Sequence, residues 1–241
     1  ELPEAEANRA RVDAEALHRT IRDITLHETR PMDMPGPDQR GRLIGRQFTE
    51  TRRHGKFIFA GSATGPWLVV HLGMTGSLRP FGPEGPPDHA KLVIRFEGDS
   101  GLAFRCPRKF GWVRMTEDPD AYLAEHGVGP DALEIGEEAF VGRIGASRSA
   151  VKSALIDQKK VAGVGNLWSD EILYRTGLSP EARANGLGEE KLAEVRRAMR
   201  DILREVVRHV ADYEKLPDDW LIHRREAGAD CARCGGMIRK S

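Results

Sequence analysis

No apolar run in this chain approaches the length of a membrane-spanning helix, and no N-terminal stretch has the basic, apolar and small-residue succession of a secretory signal. A helical membrane protein is thereby excluded, and an intracellular, cytoplasmic protein is expected. Cysteine is scarce. Cys106 stands alone and Cys231 and Cys234 form one Cys-x-x-Cys pair, which fits a reducing compartment. Net charge is missing too: 37 Lys and Arg balance 37 Asp and Glu, which argues against a generic polycation that grips nucleic acid by bulk charge. Internal repeats and low-complexity segments are absent, which excludes a repeat architecture.

What remains is a chain of 241 residues, 39% hydrophobic and 31% charged, enough for one large domain or two modest ones around a real core. Its charges are segregated. Between residues 116 and 138 there are eight acidic residues and no Lys or Arg. Basic residues gather elsewhere, at Arg52, Arg53 and Lys56, at Arg105, Arg108 and Lys109, at Lys152, Lys159 and Lys160, and at Arg224 and Arg225. A neutral protein laid out this way can still present a positive groove. Residues 5–27 read as a helix, with Ala10, Val12, Leu17, Ile21 and Ile24 near helical spacing. Short β-rich runs follow at 56–59, 67–72, 91–96 and 101–104, punctuated by Gly, Pro, Asp and Ser. No helical pattern interrupts them, which points to an antiparallel sandwich or barrel and not to a parallel α/β sheet. The acidic stretch around Gly127-Val128-Gly129-Pro130 reads as a linker, and 137–144, 150–158, 168–176 and 189–213 read as helices. The expected fold is α+β and multidomain. A β domain with a flanking helix takes 1–126, a linker 127–136, a helical domain 137–215, and a short cysteine-bearing tail 216–241.

Several places could carry chemistry. A terminal amine is the one backbone group able to act as a nucleophile, and a nearby carboxylate can move protons for it, so Glu1-Leu2-Pro3-Glu4 draws notice. The same residues equally suit the acidic first turn of a helix. Lys56 follows Gly55 in a basic turn, either a reactive lysine on a tight hairpin or a solvated one. Met74 lies in a glycine-flanked loop, and Arg108-Lys109-Phe110-Gly111 reads as a basic loop with an exposed aromatic. An enzyme acting on a base must extrude it, and the void then needs an apolar wedge and a donor for the orphaned partner. The plain alternative for Met74 is a core methionine beside a bulge. His89 alone is an ordinary loop histidine. The run from Leu155 ends in Gly163-Val164-Gly165-Asn166, whose amides and amide side chain could hold a phosphate or simply turn the chain between helices.

Taken together, these motifs resemble the formamidopyrimidine-DNA glycosylase/endonuclease VIII family over nearly the whole chain. The resemblance implies an N-terminal β-sandwich, a helix-two-turns-helix domain continuing through Ser179-Pro180, and part of a zinc ribbon. It implies a bifunctional glycosylase and abasic-site lyase that removes oxidised bases. In the family the motif is Pro-Glu-Leu-Pro-Glu, and the proline nitrogen attacks the sugar C1′ to form a Schiff base before β-elimination. Glu1 and Glu4 match the two glutamates, Glu1 as proton donor to the sugar ring oxygen and Glu4 in support. No residue of this sequence matches the proline. Either a proline precedes Glu1, or the chain starts at Glu1 with its amine displaced by one residue. The second reading of function belongs to a lost nucleophile: a non-catalytic binder of damaged or abasic DNA. Lys56 matches the hairpin lysine that contacts phosphate and assists proton transfer.

By the same resemblance, Met74, Arg108 and Phe110 fill the void in the duplex. His89, Lys152 and Asn166 contact DNA, and Gly163 and Gly165 let amides approach phosphates. Cys106 replaces an aspartate common in relatives and reads as packing. Cys231 and Cys234 are half of a structural zinc site, so zinc is expected only if a second cysteine pair lies beyond Ser241, and no redox cofactor is expected. The expected partner is damaged double-stranded DNA, bound by a monomer with no membrane association. The segment 207–230 is shorter than in relatives specific for 8-oxoguanine. That tilts the preference towards formamidopyrimidines, oxidised pyrimidines or hydantoins.

Overall fold

The computed structural model describes residues 1–27, 32–62 and 64–239. The chain divides into two compact units, one of residues 5–126 and the other of residues 1–4 with 127–241. In chain order the first elements are α1 (Leu2–Ala16), β1 (Ile21–Leu26), α2 (Pro37–Gly41), β2 (Glu50–His54), β3 (Phe57–Gly61), β4 (Trp67–His71), β5 (Ser77–Phe81), β6 (Ala90–Phe96), β7 (Gly101–Arg105), β8 (Trp112–Thr116) and α3 (Pro119–Glu125).

The strands form two four-stranded sheets, ordered β1-β6-β7-β5 and β2-β3-β4-β8, with antiparallel pairing throughout. The period of two in each strand decides what is shared between them. Ile58, Ala60, Leu68 and Val70 of one sheet, and Leu92, Ile94, Phe96, Leu102 and Phe104 of the other, enter one buried cluster with Val12 and Ala16 of α1. Phe59, Trp67 and Val69 point to the opposite face, where Tyr122 of α3 covers them. Each large aliphatic or aromatic side chain so buried contributes about 1.5–3 kcal/mol relative to exposure.

The helix read over 5–27 is shorter than its periodicity suggests. It ends at Ala16, His18 takes a left-handed φ of 60°, and residues 21–26 become β1. The cause is a register shift between Ile21 and Asp23 in the pairing with β6. A bulge turns the strand by one residue, so Ile21 and Ile24 both face the core at a spacing that imitates a helical turn.

The second unit is helical: α4 (Glu137–Gly145), α5 (Val151–Ile156), α6 (Asn166–Thr176) and α7 (Glu189–Arg208), with short 3₁₀ turns at Ala184–Gly186, Tyr213–Lys215 and Leu221–Arg224. Leu192, Val195, Met199, Ile202, Leu203 and Val206 recur along one face of α7 at helical spacing and pack with Phe140, Ile144, Leu155, Trp168 and Ile172. The segment 127–136 does more than connect. Ala132 and Ile135 are buried in this core, and Asp131 bridges Ala162 in parallel, with Ala162 N–H donating to Pro130 and Ala132 N–H to Ala162. The helix read to 213 stops at Arg208. Val210 and Ala211 both adopt left-handed φ, and Ala211 N–H closes back on the Val206 carbonyl. No glycine marks that turn in the sequence.

In the tail, Cys231 N–H donates to Gly236 O and Gly235 N–H to Cys231 O, while Asp230 bridges Met237. Its last two residues, 240 and 241, lie outside the described ones. No helix among the described residues is long and apolar enough to cross a membrane.

Candidate functional site

The candidate residues fall into two constellations, one in each unit. In the helical unit the first turn of α1 meets the start of α6. Gly165 is the N-cap of α6 and has no side chain with which to cap it. The carboxylate of Glu1 does so instead. Its Oε2 accepts from the N–H of Gly165 at 2.8 Å and of Trp168 at 3.2 Å, and its Oε1 from Leu167 N–H at 2.7 Å. These are the orphan donors of a helix start, where the helix dipole also favours negative charge. A Cβ on Gly165 would lie 2.6 Å from Oε1 of Glu1, and one on Gly163 would lie 2.6 Å from Cδ1 of Leu2. The two glycines therefore make room for Glu1-Leu2. Their amides are used internally, Gly165 to Glu1 and Gly163 to Oε1 of Gln158 at 3.0 Å. The approach to phosphate that the glycine pattern suggests is thus not what occupies these two N–H groups. Gln158 staples the loop further, its Nε2 donating to the carbonyls of Ile156 and Val164.

Glu4 completes this corner. Its Oε2 lies 2.7 Å from the backbone nitrogen of Glu1, and its Oε1 accepts from Tyr213 Oη at 2.6 Å and Trp168 Nε1 at 3.3 Å. Burial alone would raise the Glu4 carboxyl, but the Glu1 nitrogen and the Tyr213 hydroxyl more than reverse this and hold it below the usual carboxylate range. Asn166 is the exposed first residue of α6. Lys152, in the first turn of α5, pairs with Oδ1 of Asp170 at 2.6 Å, and Arg225 of the tail bonds Oδ2 of the same carboxylate.

In the β unit, Gly55 and Lys56 form a two-residue hairpin between β2 and β3, with Gly55 at φ 55° in the first central position. Arg53 braces it. Its guanidinium, 9% exposed, donates to Oε2 of Glu6 on α1 and to the Gly55 carbonyl. Phe57 pairs in register with His71, whose ring stacks on Trp112 at 5.4 Å and accepts the Gly73 N–H at Nδ1. Burial, reinforced by the charge of Lys56, pushes His71 down to about 4.

The β4–β5 and β7–β8 loops touch backbone to backbone. A Cβ on Gly73, at φ 63°, would lie 2.5 Å from Gly111 N, and one on Gly111 would lie 2.7 Å from His71 O. That contact fixes two exposed apolar side chains in neighbouring loops, Met74 at 65% and Phe110 at 60% exposure, with the Arg108 guanidinium 5.6 Å over the Phe110 ring. His89 is exposed at a left-handed φ of 63°, and its carbonyl accepts the N–H of buried Cys106 at 3.1 Å, which ties it to the base of the same loop.

The sequence models of two formamidopyrimidine-DNA glycosylase domains match this chain, the N-terminal domain over residues 1–113 and the H2TH domain over 127–215. A formamidopyrimidine-DNA glycosylase of Geobacter metallireducens is 34% identical over 100% of the chain and 93% of its own length. One of Methylococcus capsulatus is 36% identical over 99% and 93%. The chain belongs to the formamidopyrimidine-DNA glycosylase family. The Lactococcus lactis Fpg, solved in complex with DNA containing an abasic site, superposes with a TM-score of 0.88 at 25% identity, over 100% of this chain and 94% of that one.

Family membership accounts for the helix-two-turns-helix reading of α5, the Gln158-stapled loop and α6. The metal fits only in part. Cys231 and Cys234 supply two thiols at one turn, and the backbone N–H groups of Arg233 and Cys234 draw the Cys231 thiol down to about 7. A tetrahedral zinc site needs four ligands, and no group of three or more His, Cys, Asp or Glu comes together among the described residues. Trp168, Tyr213, Gln158, Asp170 and His71 were not singled out by sequence reasoning. His71 lay beside the Met74 loop, and Gln158, Trp168 and Asp170 lay in or just after the run at 155–166, whereas Tyr213 lay near no motif.

Proposed function

We propose that this protein is a bifunctional DNA glycosylase and abasic-site lyase acting on oxidised bases in duplex DNA. The observation that supports it most directly is the pair of exposed apolar side chains, Met74 and Phe110, with Arg108 above Phe110. An exposed methionine and an exposed phenylalanine, on two loops whose backbones meet at Gly73 and Gly111, serve no core. They suit the vacancy left when a base leaves the stack, and Arg108 supplies donors for the widowed partner. His89, Lys152 and Asn166 would contact the backbone and orient the duplex without reading its sequence.

The chemistry begins with attack of an N-terminal amine on C1′. The glycosidic C–N bond breaks, and the base departs with its electrons and takes up a proton as the amine gives one up; the C1′–O4′ bond then opens, its oxygen protonated, and a Schiff base remains. β-Elimination then removes a proton from C2′, forms the C2′–C3′ double bond and expels the 3′-phosphate as the C3′–O bond breaks. The family's proline nucleophile has no counterpart in this sequence, and the role is assigned to none of its residues. Glu1 handles the proton at the ring oxygen. Its Oε2 accepts two N–H groups and its Oε1 one, so Oε1 keeps the lone pair that a proton in transit needs. Lys56, raised on its braced hairpin, contacts phosphate and assists proton transfer during elimination. The short segment after α7 favours formamidopyrimidines, oxidised pyrimidines or hydantoins over 8-oxoguanine. Zinc would be held by Cys231 and Cys234 only if a second cysteine pair completes the site, and no step of the chemistry runs through it.

Borohydride trapping of the full-length protein on a duplex with one abasic site tests the reading. A covalent adduct mapping to the N-terminal residue is expected. Tight, salt-sensitive binding without any adduct would replace the enzyme with a recognition protein.

A further inference from the structure

We propose that Tyr213 is a positioning residue for the N-terminal segment, orienting Glu4 so that its second oxygen receives the backbone nitrogen of Glu1. The link stands on geometry alone; its consequence for catalysis rests on the function proposed above.

Glu1 is the residue before α1 and Glu4 is its third residue, the spacing at which a glutamate side chain reaches back to the nitrogen at the helix entrance. Here both oxygens of that carboxylate are engaged. Oε1 is held by two donors from far along the chain, the Tyr213 hydroxyl at 2.6 Å and the Trp168 indole at 3.3 Å, leaving Oε2 to face Glu1 N at 2.7 Å. The arrangement needs only an N–H on that nitrogen, whether the nitrogen ends the chain or continues it.

Tyr213 is well suited to the task. Burial, then the charge of Glu4, pushes its hydroxyl well above the ordinary tyrosine value, so it remains a donor throughout the neutral range. Its ring stands edge-on to Trp168, centroids 5.6 Å apart, and Trp168 in turn packs edge-on to Trp220. The two left-handed residues Val210 and Ala211 turn the chain after α7, and Asp212 caps the short turn that begins at Tyr213 by accepting Glu214 N–H. A β-branched valine in left-handed backbone is a strained choice, kept only where surrounding structure over-determines it. The strain brings one hydroxyl to one carboxylate. Glu1 is fixed by the α6 N–H groups and Glu4 by Tyr213 and Trp168, so both carboxylates of the N-terminal motif are oriented by the helical unit.

Tyr213→Phe keeps the ring contacts and removes only the hydroxyl. Of the groups that face Glu4 here, Tyr213 is titratable; Trp168 donates but does not titrate, and the Glu1 nitrogen carries charge only where it ends the chain. Loss of a donor to the ionised form must raise the Glu4 carboxyl, so carbon-13 NMR of the full-length protein should show its midpoint moving to higher pH in Y213F. Single-turnover excision from a duplex bearing a formamidopyrimidine lesion should slow by about ten- to a hundredfold, the usual worth of one hydrogen bond to a charged group, at unchanged duplex Kd. The double variant Y213F/E4Q should be no slower than E4Q alone. An unmoved Glu4 midpoint, or rate losses that multiply in the double variant, would overturn the inference even in a fully active enzyme. A shifted midpoint in a protein that excises nothing would leave the link standing and remove the enzymatic reading instead.

Discussion

Gly165 offers a test in which the same substitution should change sign with its background. Its φ of −128° and ψ of −164° are extended backbone open to any residue, so alanine there carries no conformational strain. The obstacle is Glu1. The three atoms nearest a new Cβ are Cδ, Oε1 and Cγ of that side chain, with Oε1 at 2.6 Å and Cγ at 2.8 Å. To relieve the overlap, Glu1 must withdraw from the α6 N–H groups that it caps. Overpacking costs about 1–3 kcal/mol and loss of a helix cap about 1 kcal/mol, so Gly165→Ala should destabilise the protein by about 3 kcal/mol. Glu1→Ala leaves the same three N–H groups without their acceptor and should cost about 2 kcal/mol. In the double variant all three obstructing atoms are gone. Alanine at 165 should then be neutral, or stabilising by about 0.5 kcal/mol through the unfolded chain. The coupling between the sites would be about 3 kcal/mol, well above the few tenths expected of independent positions. Urea unfolding of the four full-length proteins measures it as a shift in midpoint at constant slope. If Gly165→Ala costs as much without Glu1 as with it, the cap is not what the glycine serves.

Three further outcomes follow from the site. Met74→Ala and Phe110→Ala, both at exposed positions, should alter stability by less than about 0.5 kcal/mol yet slow excision at least tenfold, seen in single-turnover kinetics alongside a melting curve. His71 has its folded value depressed from 6.5 to about 4, so the neutral ring is favoured in the folded state. The stability it contributes is complete above pH 6.5 and is lost as pH falls towards 4, roughly 3 kcal/mol in all, and His71→Gln should flatten that part of the denaturation profile. If about five phosphates are neutralised, log affinity for a lesion duplex should fall with log salt at a slope of about −4 to −5. Asp170 already pairs with Lys152 and Arg225, so Asp170→Asn should steepen the slope by about one; an unchanged slope would show that neither cation faces DNA.

The legible parts of this protein were those where local pattern and tertiary role coincide. The strand at 91–96 was visible as a short run of β-branched and apolar residues buried on both faces, and α7 by its apolar stripe, where burial selects one face at helical spacing. β1 was misread for the opposite reason: its bulge places Ile21 and Ile24 on one face and imitates a helix, a fact that resides in the pairing with β6. The end of α7 was illegible because left-handed Val210 and Ala211 contradict their own preferences, and only the packed surroundings explain them. The site shows the same division. Motif residues stood out by their chemistry, whereas Gln158, Trp168 and Tyr213 look like ordinary polar and aromatic residues of a helical domain. Trp168 and Tyr213 take their roles from hydrogen bonds to Glu4 that no window of sequence contains, and Gln158 from three bonds within its own loop. The glycines show it most sharply. Gly163 and Gly165 announced that something approaches the backbone closely, and the pattern suggested phosphate. The structure supplies Leu2 and Glu1, residues more than 160 positions away in the chain. A glycine records that space is needed, and what fills the space is decided by the fold.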